Sequence, residues 1–92
     1  MTKNDYYDFV ELTVLKGSNL CGKTIKDIKK ILNKYKSLSD KVELFAIYSS
    51  NVIHGKKIKE DHKLEEGSTI VLKVNPEVYK NKEWEKFISE IV

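Results

Sequence analysis

The side chains with most chemistry to offer are one cysteine, two histidines and a glycine-flanked lysine: Cys21, His54, His62 and the run Gly22-Lys23-Thr24. A thiolate can attack or ligate, imidazole titrates near neutrality and binds zinc, and a Gly-Lys-Thr turn can wrap a phosphate. Cys21 has no second cysteine with which to form a disulfide or share a metal, so it reads as a small, half-buried turn residue. The two histidines, with the cysteine far upstream, match no zinc spacing. Gly17 to Thr24 reads as a structural corner whose glycines supply backbone angles that a side chain would obstruct. No nucleophile, base and orienting group recur at spacings that suggest a site, and the chain is short for a water-excluding cleft. The expectation is therefore a protein without catalytic residues, metal or cofactor.

The elements that hold these residues are written in the periodicity. Val10, Leu12 and Val14 alternate with Glu11 and Thr13, the mark of a half-buried strand over residues 9–15. Thr24 and Asp27 can each take up an unpartnered helix-terminal N–H, which starts a helix. Ile25, Ile28, Ile31, Leu32 and Tyr35 then fall at helical spacing to about Tyr35, among exposed lysines. Val42 to Tyr48 has apolar residues on both parities: Val42, Leu44, Ala46 and Tyr48 on one face, Phe45 and Ile47 on the other. A strand with two apolar faces needs two covers, one of which a partner copy can supply. Residues 52–57 read as a short returning strand, 56–62 as a polar loop, and 69–74 as a further strand with Ile70, Leu72 and Val74 on one face. From Glu77 onward, Val78, Trp84, Phe87, Ile88 and Ile91 mark the stripe of a terminal helix. The predicted fold is α+β: a small, mostly antiparallel four-stranded sheet with two helices, in the order strand-helix-strand-strand-strand-helix. Residues 1–8 read as a flexible tail or linker remnant and 9–92 as one domain.

Composition narrows the partners. The chain has 92 residues, 40% hydrophobic and 34% charged, with a net charge of +3 from 17 basic and 14 acidic groups, and every basic residue is lysine. That profile is of a folded domain rather than a disordered one. Without arginine's planar fork, a dedicated nucleic-acid reader is disfavoured; a lysine ridge with Tyr6, Tyr7 and Tyr35 remains the alternative of a different class. No apolar run approaches the ~20 residues that span a bilayer, so the reading is a cytoplasmic chain or the soluble part of a membrane-associated system.

The run Glu11-Leu-Thr-Val, the corner Gly17-Ser-Asn-Leu-Cys-Gly-Lys-Thr-Ile25, Phe45-Ala-Ile47, and Leu64-Glu-Glu-Gly-Ser68 before 69–72 together resemble the RCK C-terminal domain, also called TrkA-C. The resemblance covers about residues 9–78. It implies a homodimeric, non-enzymatic regulatory domain at the cytoplasmic end of potassium or other ion transport proteins, where it senses ligands or assembles subunits. Several members bind cyclic di-AMP at the dimer interface. Carried over by position, the ligand-binding residues would be Ile25, Lys26, Leu44, Phe45 and His54, and the dimer interface would use Phe45 and Ile47. Ile31 stands where binders carry an arginine, and Glu43 stands where they carry an amide.

Overall fold

The computed structural model describes residues 6–49, 52–54 and 58–92, with the side chains of Ser49 and Val52–His54 left undescribed. Strand β1 (Asp8–Thr13) leads through a corner into helix α1 (Ile25–Lys34), followed by strands β2 (Val42–Ser49), β3 (Val52–His54) and β4 (Thr69–Val74). A 3-10 turn, Pro76–Lys80, then precedes helix α2 (Lys82–Ile91). The class is α+β.

The expected four-stranded sheet needs correction. Three full strands, in the spatial order β1, β4, β2, make up one sheet that is antiparallel throughout. The returning segment adds only a three-residue ladder, Ile47 opposite His54 through Ser49 opposite Val52, at the margin of β2. Residues 55–57 of the expected returning strand lie outside the described residues.

The corner between β1 and α1 is fixed by local hydrogen bonds. The Thr24 hydroxyl accepts from the Asp27 amide at 3.2 Å, and the Asp27 carboxylate accepts from the Thr24 amide at 3.0 Å. This reciprocal cap is worth about 1 kcal/mol. Gly17 and Gly22 hold φ of 81° and 89°, angles that any other residue would adopt only under strain. The expected terminal helix is divided in two. The Asn81 side chain accepts from the Glu83 amide and starts α2 afresh, so the segment after Pro76 closes as a separate turn capped by Asn75.

Both helices lie on one face of the sheet. Ile25, Ile28 and Leu32 from α1 and Phe87 and Ile91 from α2 pack with Val42, Ile47, Ile70, Leu72 and Val74 in a single core. A polar clasp joins the helices at its rim: Glu90 accepts from Lys34 Nζ at 2.6 Å and from the Tyr35 hydroxyl at 2.7 Å. Those two donors hold the Glu90 carboxyl below its ordinary value of 4.5. A carboxylate depressed in the fold stabilises it above its unfolded pKa, and the contribution disappears as pH falls through the lower folded value. Thermal midpoints measured from neutral pH down through the carboxylate range should therefore fall less steeply for Glu90→Gln than for the natural chain. Parallel curves would mean the clasp contributes nothing.

Candidate functional site on the uncovered sheet face

A β-bulge decides what the far side of the sheet displays. The β2 and β4 ladders run in register from Val42 opposite Val74 to Leu44 opposite Leu72, then resume with Ala46 opposite Val71 and Ile47 opposite Ile70. Phe45 is the extra residue. Before the bulge Leu44 faces the helices, and after it Ile47 does, so the alternation changes phase within the strand. This corrects the parity read from the sequence. Ile47 is fully buried in the chain's own core, inaccessible to a partner, whereas Phe45 is turned to the helix-free side and is 49% exposed.

On that side Phe45 meets Phe9 of β1 edge to face across β4, with ring centroids 5.0 Å apart. Phe9 is 54% exposed and Tyr48 40%. Beneath them Ala46 and Val71, paired across the strands, are buried although they belong to no part of the main core. Lys73 Nζ sits 4.5 Å from the centroid of the Tyr7 ring at one end of the face, a cation–π contact. The result is an aromatic cluster on an open sheet, with no described helix over it. Large exposed apolar patches are found at protein contact surfaces and ligand grooves.

The residues assigned to a ligand do not converge. Ile25 is buried in the core, and its amide donates to the His62 carbonyl at 3.2 Å. Lys26 is exposed, and its amide donates to the Glu60 carbonyl at 2.9 Å. Leu44 faces the helices and lines a groove of about 290 Å³ whose floor includes Leu32, Leu72 and Phe87 and whose lining carries Lys29, Asn33 and Glu43. Phe45 lies on the opposite side of the sheet, and the His54 side chain falls outside the described residues. The expected tail, residues 1–8, is described only from Tyr6, and Asp8 already belongs to β1.

The Gly17 to Thr24 loop does carry the glycine, four residues, Gly-Lys-Thr spacing of a phosphate-binding loop, so spacing alone does not dispose of that chemistry. The backbone does. Such a loop works by aiming free amides at the anion. Here the Ser18 amide donates to the Leu15 carbonyl just before the loop, those of Cys21 and Lys23 to the Ser18 and Leu20 carbonyls within it, Asn19 to Val92 and Gly22 to Leu64. Thr24 donates to Asp27, while Lys23 Nζ folds back onto the Asn19 carbonyl at 2.7 Å. Leu20 is buried in the core. The corner is a structural knot.

Sequence reasoning missed Phe9 and Val71, which complete the aromatic face. The signal for Phe9 lay in its parity, opposite to Val10 and Leu12. The signal for Val71 lay in a run, Ile70-Val71-Leu72, with apolar residues on both parities. Among the described residues, no helix is long and apolar enough to cross a membrane. No family model matches the chain, and no curated protein matches it.

Proposed function

We propose that this chain is a non-enzymatic regulatory dimerisation domain of a potassium or other ion transport system, cytoplasmic in place, whose aromatic sheet face seats against the rest of the assembly. The observation that carries this reading is the Phe9–Phe45 pair standing on a sheet face that neither helix covers. The resemblance of the Gly17–Ile25 corner and the Leu64–Ser68 turn to the TrkA-C domain supplies the transport context.

Within this reading, assembly ranks ahead of nucleotide sensing. The sheet stands between Leu44 and Phe45, so one copy does not bring the assigned residues to one place. Glu43 in the groove lining also opposes a phosphate. The nucleic-acid alternative ranks lower, because two lysines of the α1 ridge, Lys29 and Lys34, are paired with Glu60 and Glu90 and the exposed Lys26, Lys30 and Lys36 have no arginine among them.

Two measurements test the proposal. Light scattering across a concentration series should return twice the chain mass of 10.7 kDa; a single copy at high concentration would sink it. Calorimetry with cyclic di-AMP, other cyclic dinucleotides and adenine nucleotides then separates the two roles. Saturable heat would make the module a sensor, and silence across the panel would leave assembly alone.

A further inference from the structure

One border of the sheet is long and straight. β1 stands at its edge, paired only with β4 among the described residues. The ladder between them runs unbroken from Asp8 opposite Val74 to Thr13 opposite Thr69. Soluble proteins blunt long edges with charged side chains, lysine above all, and with proline, bulges or short strands. Asp8-Phe-Val-Glu-Leu-Thr13 has no bulge, no proline and none of the chain's 17 lysines; its two charges are Glu11 on the open face and Asp8, whose carboxylate accepts from the Tyr79 hydroxyl at 2.8 Å. The opposite border is guarded by both a bulge in β2 and the brevity of β3.

We propose that two copies join edge to edge along β1, antiparallel, with Val10 on the twofold axis, so that one sheet runs through both. This rests on the homodimer proposed above and names the surface that makes it. The direction of the backbone groups is fixed by Val14, whose amide donates to the Ser68 carbonyl at 2.7 Å and whose carbonyl accepts from the Gly67 amide at 2.8 Å. Both therefore point at the β4 side. Alternation along the strand sends the groups of Leu12, Val10 and Asp8 the same way, and those of Phe9, Glu11 and Thr13 outward, with no partner strand to meet them among the described residues.

Charge selects the register. A twofold axis perpendicular to the sheet keeps each face on its own side, so it must pass through a residue and not between two. Centring on Val10 or on Glu11 gives the longest overlaps within β1. Centring on Glu11 sets two carboxylates directly opposite one another, which is repulsive. Centring on Val10 sets Phe9 opposite Glu11 of the second copy, and each such pair exchanges both backbone hydrogen bonds. On the helix side, half-buried Val10 packs against its twin and half-buried Leu12 gains cover. On the open side the two aromatic clusters come to lie on one continuous platform.

The test uses the full chain with Cys21→Ser, which removes its exposed thiol. At the axis Val10 would form a non-hydrogen-bonded pair with its twin, about 4.5 Å between Cα atoms, inside the range a disulfide bridges. Val10→Cys treated with a thiol oxidant should give a covalent dimer on a non-reducing gel, and Glu11→Cys should not. Glu11→Pro removes an outward amide while leaving the β4 ladder intact. It should weaken dimerisation at least tenfold, with the far-ultraviolet circular dichroism of the natural chain retained. A dimer by light scattering that neither links through Val10→Cys nor weakens with Glu11→Pro would place the contact elsewhere and overturn this inference alone. A monomer would overturn both it and the homodimer reading.

Discussion

Replacing Phe87 by alanine should cost about 3–5 kcal/mol of folding stability. Phe87 is fully buried at the centre of α2, with the Tyr35 ring 6.3 Å away and the Trp84 ring 6.0 Å away, centroid to centroid. It is also the side chain through which the last helix seats on the sheet and reaches the groove beside Leu44. Truncation removes the apolar area and leaves a cavity that strands from a finished sheet cannot collapse to fill. Domains of this size have a total stability of about 5–15 kcal/mol, so the variant should lose a large fraction of it. Denaturant titration measures it, as a lower midpoint at unchanged slope. A loss under about 1 kcal/mol would mean that α2 docks in some other way.

The second large effect is a contrast between neighbours on β2. Ile47→Ala should destabilise by about 2–5 kcal/mol, whereas Phe45→Ala should cost about 1 kcal/mol, the worth of one exposed aromatic pair. Ile47 is sealed under the helices, and Phe45 touches Phe9 on the open face. Without the bulge the two residues would share a face and behave alike. Equal losses in urea titrations of the two variants would remove the bulge from the description. Phe45→Ala should meanwhile leave the core intact, which makes it the variant of choice for testing what docks on the aromatic face.

The same pair shows what could be read in advance and what could not. The β1 corner and the start of α1 were legible, because Thr24, Asp27, Gly17 and Gly22 act on backbone groups within a few residues of themselves. The burial of Ile25, Ile28 and Leu32 followed from helical spacing alone. The phase of β2 was not legible, since a bulge is a relation between two strands and Phe45 carries no mark of being the residue left over. The break at Asn81 was hidden for a similar reason: it depends on an asparagine that caps a helix instead of sitting within one. The candidate site was half visible: Phe45 was singled out, but Phe9 was passed over as the off-parity neighbour of Val10.

The position of β4 in the sheet has a consequence for how the chain is made. The last strand to be synthesised is the one that lies between β1 and β2, so the first strand waits for a segment more than fifty residues downstream before it has a neighbour. Until Thr69–Val74 has emerged from the ribosome, the nascent chain holds a capped helix, the short β2–β3 ladder and a solitary β1, and pairing at such sequence separation is slow. Nascent chains that stall before that point would expose both borders of β1 at once, making them the species most prone to clump during translation.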